Sequence, residues 1–257
     1  MIRFALAALM LAVAWLSPAH ALPNFVIIML DDATMEMLPF LSTGFVLSRG
    51  GMTFMNSYVT TSLCTPSRVS FITGQYSHNH GVISIIPPST WPQNESNHLG
   101  TWMQGRGYQT AIIGKSYYYP GYDPMPGWNM SQLMAPAYFN YTINNNGAVE
   151  TYGSAAADYS TDVLAAKAAS FIAAKAGGPF LLWLTLNAPH DPFIPAPRHA
   201  AAYADLIPPL DPSINEGDLS DKPAWMRALP ALGPAGSNVY GTWIVPKHRD
   251  RMRTLLA

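Results

Sequence analysis

Short apolar runs alternate along this sequence with segments whose apolar residues recur every three or four positions. Three runs, rich in β-branched or aromatic residues, predict buried strands at 24–30, 108–114 and 180–186. A shorter run at 52–59 predicts a further strand. Helical spacing predicts a long helix from Asp158 to Ala176, which Gly177 and Gly178 end. Strands that alternate with helices in this way indicate an α/β fold built on a parallel sheet.

The remaining pattern is less regular. It predicts short helices and one β-hairpin, with a helix and turn at 35–48, helices at 66–73, 98–106 and 199–204, and the hairpin at 138–149. Residues 118–146 otherwise read as loop because Pro, Gly and Asn interrupt them. A basic helix begins at Trp243, and its charged face is predicted to be solvated.

The first 21 residues are predicted to be a targeting segment. Arg3 gives a positive start, Phe4 to Leu16 is apolar, and Ala19-His20-Ala21 fits a small-x-small cleavage site. The apolar run is short for a membrane span, although an uncleaved anchor is the alternative. We therefore predict a signal peptide at 1–21, a single domain at 22–257, export to the periplasm or the extracellular space, and no stable membrane association.

Composition narrows the class of protein. The 257 residues are 49% hydrophobic, which is enough for one sizeable core. The net charge is -1 and charged residues make up 11%, without a basic block, so we expect no nucleic-acid partner. The one cysteine, Cys64, has no partner for an intramolecular disulfide.

Polar residues follow the predicted strands, at the edge where α/β sheets bind ligands. Asp31 and Asp32 come after the first strand, Lys115 after the second long one, and His190 after the last. Adjacent carboxylates repel each other unless a cation or solvent separates them, and oxygen donors suit Ca²⁺ or Mg²⁺. The alternatives are a solvated turn for the two aspartates, a surface cation for Lys115 and a polar loop residue for His190.

Cys64 is predicted to lie at the mouth of a helix. Pro66 favours a helix start there, because its missing N–H costs nothing in the first turn. Unpaired N–H groups and the helix dipole attract an anion to such an end. Arg68, one turn further on, has the reach to point toward the same place. An inert, buried thiol is the alternative.

The segment Cys64-Thr65-Pro66-Ser67-Arg68, with Thr73-Gly74 nearby, resembles the signature of the sulfatase family. The resemblance implies a three-layer α/β/α, alkaline-phosphatase-like fold. It also implies sulfuric ester hydrolysis. In that family a maturation enzyme, the formylglycine-generating enzyme, oxidises the cysteine to formylglycine, whose hydrate is the nucleophile.

The same resemblance assigns roles to residues that match the family pattern. Asp31, Asp32 and the modified Cys64 are expected to hold a divalent cation, Ca²⁺ or Mg²⁺. Gly-Lys after a Tyr-x-Thr-Ala strand and Ala-Pro-His after the last strand match sulfate-contacting positions of the family. The residues expected to act in catalysis are Cys64, Arg68, Lys115 and His190. Many members carry a histidine where this chain has Tyr117.

Two histidines in the loop at 76–82 bear on the substrate. The run His78-Asn79-His80 resembles the glucosamine-6-sulfatase branch of the family and implies a sulfated amino sugar or glycosaminoglycan as substrate. Substrate binding is then expected of His80 together with Lys115 and His190. A zinc pair is the weaker alternative, because no third ligand has zinc-type spacing.

Several interpretations of the function stay open. Sulfatase domains are longer, so the resemblance predicts a chain truncated at its C-terminus. One alternative is a phosphoester or phosphonate monoester hydrolase of the same superfamily. Another is an inactive truncated sulfatase that binds sulfated glycans. A third is a Cys-His hydrolase that uses the Cys64 thiol and His190.

Overall fold

The computed structural model describes residues 22–41, 47–85, 96–117, 125–208, 212, 214–231, 238 and 240–257. The predicted signal peptide lies outside these residues. Six strands are described: β1 Phe25–Met29, β2 Gln109–Lys115, β3 Met130–Met134, β4 Tyr141–Asn145, β5 Ala148–Tyr152 and β6 Phe180–Thr185. We label six helices: α1 Cys64–Thr73, α2 Ser77–His80, α3 Leu99–Gly105, α4 Ser160–Lys175, α5 Ala224–Arg227 and α6 Val245–Thr254. Three 3₁₀ turns lie at Met35–Phe40, Ala156–Asp158 and Pro197–His199, and a π-helical turn, Tyr240–Ile244, precedes α6.

The strands form one mixed sheet in the order β1-β6-β2-β3-β4-β5. The pairs β1–β6, β6–β2 and β2–β3 are parallel, and the hairpin of β4 and β5 continues the sheet in antiparallel fashion. Because parallel strands end at the same edge, the residues that follow β1, β2 and β6 are brought close together. This confirms the parallel strands that the sequence predicts and places all four polar strand-end residues at one edge.

Helices cover both faces of the sheet. On one face, Leu164, Ala168 and Phe171 of α4 pack against alternate residues of β2 and β6. On the other face, Val69 of α1 and Ile112 of β2 belong to a second buried cluster, which α3 also contacts. The central strand β6 is buried on both faces, as its unbroken apolar sequence requires. The predicted three-layer α/β/α architecture is confirmed.

Three predictions about elements are wrong. Residues 52–59 form no strand; their large side chains are exposed, and no described strand pairs with them. The first strand exists, but among the described strands it lies at the edge of the sheet, and its Phe25, Val26 and Ile28 are exposed rather than buried. The third strand, Met130–Met134, lies inside the segment predicted to be loop. Its sequence has no strand pattern, and it is a strand because it pairs with β2.

The basic helix α6 is not simply solvated on its charged face. Met252 is buried against Met37 in the 3₁₀ turn that follows β1. The basic side chains of Arg249, Arg251 and Arg253 donate hydrogen bonds to loop carbonyls. The prediction of a solvated face is therefore wrong, because these contacts come from loops that are remote in sequence. Among the described residues, no helix has the length and apolar character needed to cross a membrane.

Candidate active site

The loop after β1 carries the two adjacent aspartates. Asp31 is buried, and its backbone N–H donates to the carbonyl of Ala188 at 3.2 Å, which ties this loop to the one after β6. Asp32 is exposed, with a φ of 60° in the left-handed region. This change of backbone direction separates the two side chains, so that Asp31 faces the interior and Asp32 faces solvent.

Lys115 is the last residue of β2, at the sheet edge where β1 and β6 also end. Its Nζ donates to the Asp31 carboxylate and lies 3.6 Å from the Cys64 Sγ. The preceding residue, Gly114, has a φ of +112°, and a Cβ there would lie 2.0 Å from the Thr185 carbonyl oxygen. The close packing of β2 on β6 therefore requires glycine before the lysine.

Arg68 reaches the site from α1 and is 2% exposed. One guanidinium nitrogen donates to the Lys115 carbonyl oxygen at 2.7 Å, and the other lies 3.3 Å from the Asp31 carboxylate. One buried carboxylate thus lies between two cations. Their excess positive charge favours an anion beside them, since buried charges require partners.

Cys64 lies at the start of a helix, as the sequence predicts, although α1 begins at Cys64 itself, two residues before the predicted start at Pro66. Leu63 precedes it with extended backbone, and its side chain makes no capping hydrogen bond, so nothing on that side chain competes for the N–H groups of the first turn. The free thiol is half-buried between two cavities. One, of about 230 Å³, is shared with Lys115 and His190, and the other, of about 430 Å³, with Asp31 and Arg68.

His190 approaches from the loop after β6. Its Nε2 lies 3.7 Å from the Asp32 carboxylate. The hydroxyl of buried Tyr138 donates to the His190 carbonyl oxygen at 2.7 Å, and burial raises the pKa of Tyr138, so that it remains a proton donor. Potential ligand atoms of Asp31, Cys64 and His190 all lie within 4.8 Å of one another.

His80 is not part of this cluster. It is fully buried at the end of α2; its Nδ1 accepts from the Val82 N–H at 3.1 Å, and its Nε2 pairs with the Ser70 hydroxyl at 2.9 Å. Desolvation lowers the pKa of His80. Both ring nitrogens are engaged within the protein, so the substrate role expected of His80 receives no support from its position.

Sequence reasoning missed two residues beside the site. Tyr138 lies at the start of the predicted hairpin, and nothing in the sequence indicates that its hydroxyl reaches the carbonyl of His190. Arg251 on α6 donates to the backbone carbonyl of Asp32, 219 residues away. The four-residue spacing of Lys247 and Arg251 shows that they share a helix face, but not what that face meets.

The sulfatase family profile matches residues 23–215. This chain belongs to the sulfatase family. It is 33% identical to an arylsulfatase of Volvox carteri over 92% of this chain and 42% of that protein. It is 32% identical to human N-acetylglucosamine-6-sulfatase over 75% of the chain and 39% of the relative. An extracellular sulfatase SULF-1 homolog of Drosophila melanogaster is 32% identical over 82% of the chain and 20% of its own length. The chain thus spans less than half of each relative.

Solved structures share the fold. A protein in complex with its substrate D-glucosamine-2-N,6-O-disulfate superposes with a TM-score of 0.59 at 24% identity, over 75% of this chain and 40% of that one. A phosphonate monoester hydrolase from Silicibacter pomeroyi gives a TM-score of 0.65 at 20% identity, over 91% and 56%. At these identities the likeness shows the architecture alone, which is that of the alkaline-phosphatase-like sulfatases.

The side chains at this edge fit a hard divalent cation. Asp31, Asp32 and Cys64 all line the 430 Å³ cavity, and the two aspartates supply oxygen donors there. Carboxylate oxygens are the donors that Ca²⁺ and Mg²⁺ prefer, and two carboxylates supply part of the six to eight oxygens that Ca²⁺ takes. Lys115 competes with such an ion for Asp31, so binding the ion requires the ammonium group to turn toward another anion. Arg68 stays in place through its hydrogen bond to the Lys115 carbonyl oxygen.

Proposed function

We propose that residues 22–257 carry the nucleophile and the sulfate-binding residues of a sulfatase that hydrolyses sulfate monoesters of amino sugars. The observation that carries the proposal is the convergence on Cys64. Its sulfur lies at the N-terminus of α1, 3.6 Å from Lys115 Nζ, and shares a cavity with His190. Membership of the sulfatase family supplies the chemistry that this arrangement supports.

The proposed nucleophile is Cys64 after its oxidation to formylglycine by a maturation enzyme. A hydroxyl of the hydrated residue attacks sulfur, the sugar alcohol leaves, and the second hydroxyl releases sulfate as the aldehyde is restored. A divalent cation held by Asp31 and Asp32 would polarise the sulfate oxygens when bound. An unmodified thiol lacks the second hydroxyl, so conversion of Cys64 is the first requirement of the proposal.

The other side chains stabilise charge and move a proton. Lys115 lines the 230 Å³ cavity and is placed to donate to a sulfate oxygen there. Arg68 contacts the Lys115 carbonyl oxygen at the end of β2 and the Asp31 carboxylate. Its positive charge therefore acts from a fixed position. His190 lines the same cavity as Lys115, and an imidazole there is suited to protonate the leaving sugar oxygen.

The substrate class and the location come from the relatives. The human relative is an N-acetylglucosamine-6-sulfatase, and the solved complex contains a disulfated glucosamine. These names support a sulfated amino sugar over a small aryl sulfate. The Drosophila relative is named an extracellular sulfatase, which supports export, with residues 1–21 proposed as the signal peptide.

Peptide mass spectrometry across Cys64 is the primary test. Protein isolated from its own host is expected to show the mass loss of thiol-to-aldehyde conversion, and an unmodified thiol there would overturn the proposal. The converted protein is then assayed in parallel on N-acetylglucosamine 6-sulfate, an aryl sulfate and an aryl phosphate, with Cys64→Ala as the control. Preference for the phosphate would instead favour a phosphoester or phosphonate hydrolase, whose fold this chain shares. Glycan binding without turnover would favour a non-enzymatic role.

A further inference from the structure

Helix α6 lies against the loop after β1, which carries Asp32, and the loop after β6, which carries His190. Lys247 and Arg251, four residues apart, reach the loops after β6 and β1 respectively. Arg249 and Arg253, also four apart, reach the carbonyls of the 202–206 loop instead. Residues four apart share a helix face, so the two pairs of basic side chains divide between the site and a neighbouring loop.

Arg251 holds the backbone of Asp32. One guanidinium nitrogen donates to the Asp32 carbonyl oxygen. Asp32 has a φ of 60°, in a region that residues other than glycine seldom adopt. The hydrogen bond therefore restrains the peptide that directly follows this residue of unusual φ. It limits rotation of the loop at Asp32, whose carboxylate lies 3.7 Å from His190 Nε2.

Lys247 holds the neighbour of His190. Its Nζ lies 2.9 Å from the Asp191 carboxylate and lies over the rings of Phe193 and Trp243, with centroids at 5.6 and 5.2 Å. These groups are partly exposed, so the ion pair contributes little to stability. Its position nevertheless restrains the His190 loop from the same helix that restrains Asp32.

The placement of α6 does not depend on these two contacts. Met252 and Leu255 are buried with Met37, and Arg249 donates to the Leu206 carbonyl oxygen at 2.7 Å. The helix is thus anchored on a separate side. A change at Arg251 is therefore expected to release the Asp32 loop while leaving the helix in place.

We propose that Arg251 is a positioning residue of the candidate site, with Lys247 in support. It orients Asp32 for the cation and for His190 through the backbone of the loop after β1. Part of this inference rests on the proposed function, because the cation belongs to it. The backbone restraint itself is independent of that function.

The test compares the full chain with Arg251→Met, Arg251→Lys and the matched control Arg253→Met, which removes the same charge two residues away, from another face of the helix. Two measurements are made: the Ca²⁺ dissociation constant by calorimetry, and hydrogen exchange of the amides at 30–34 without added metal. Arg251→Met is expected to weaken Ca²⁺ binding about tenfold, as loss of a residue supporting a metal ligand does. Exchange at 30–34 should rise several-fold, while Arg253→Met changes neither more than about twofold and Arg251→Lys recovers part of the loss.

The outcomes separate the two proposals. If wild-type protein binds neither Ca²⁺ nor Mg²⁺ in the same titration, the cation part of the proposed function fails, and hydrogen exchange alone decides the role of Arg251. Equal exchange at 30–34 in Arg251→Met and Arg253→Met would overturn the positioning role, whatever the metal result. If Arg251→Met does not fold, Arg251→Gln replaces it, and wild-type exchange at 30–34 in that variant would also overturn the inference.

Discussion

The Lys115 ammonium group contacts the Asp31 carboxylate in the protein interior, although 84 residues separate them along the chain. Arg68 contacts the other carboxylate oxygen of Asp31 at 3.3 Å. Removing any of the three charges changes both the stability of the fold and the potential at Cys64, whose sulfur is 3.6 Å from the lysine. Stability and candidate chemistry are therefore coupled at this position.

Asp31→Asn is expected to lower the free energy of unfolding by about 3–5 kcal/mol, because it leaves two buried cations without a carboxylate. Urea unfolding at neutral pH measures the change. Asp162→Asn is the matched control, since Asp162 pairs with Arg198 at the surface and its loss should cost less than about 1 kcal/mol. Equal losses in the two variants would show that the buried carboxylate is not holding the cations.

Arg68→Lys keeps the charge but not the two separate contacts. A lysine cannot donate to the Lys115 carbonyl and to Asp31 in the geometry of the guanidinium fork. We expect kcat/KM for a sulfate ester to fall about 100-fold, the scale of losing one preorganised donor. The exposed Arg106→Lys variant is the control and should match wild type. An Arg68→Lys enzyme with unchanged kinetics would remove Arg68 from the proposed machinery.

The sequence indicates the core of the site because its residues follow strands. Asp31, Lys115 and His190 each come after an apolar run, and parallel pairing alone brings strand ends to one edge. The spacing of Cys64 and Arg68 on one helix is a local property as well. These short-range patterns carry enough information to place the five side chains near one another.

Long-range contacts are what the sequence does not disclose. Residues 52–59 have strand-like composition, but a strand needs a neighbour to pair with, and none of the described strands provides one. Strand β3 shows the reverse, because its ordinary sequence becomes a strand by pairing with β2. The burial of His80 and the reach of Arg251 likewise depend on tertiary packing rather than on local pattern.

His98 is expected to make the fold sensitive to mild acid. It caps α3, with its Nδ1 accepting from the Gly100 N–H at 3.1 Å, and burial beside Trp128 lowers the pKa of His98 to about 4. The unfolded chain takes up a proton near pH 6.5, while the folded chain resists until about pH 4, so stability is full above pH 6.5 and falls between these values.

His98→Asn keeps a capping acceptor but removes the titration. The wild-type free energy of unfolding should therefore fall by about 3 kcal/mol more than that of the variant between pH 7 and pH 4. Urea unfolding at several pH values measures the difference. His80, whose pKa burial also lowers, remains in both proteins and cancels in the comparison. Parallel pH profiles would show that His98 is not the group responsible.

Gly114→Ala tests whether the close approach of β2 to β6 positions Lys115. The added Cβ would lie 2.0 Å from the Thr185 carbonyl oxygen, at a φ of +112°, so the strands must separate or the backbone must rotate. Steric overlap and backbone strain together predict a loss of about 3–5 kcal/mol in the free energy of unfolding. In the exposed Gly105→Ala control nothing lies within 4 Å of the new Cβ, and a gain of about 0.5–1 kcal/mol is expected. Because the strain falls beside Lys115, any Gly114→Ala protein that folds should also lose sulfate ester turnover. Full turnover in such a protein would show that the close approach of β2 to β6 does not position the lysine.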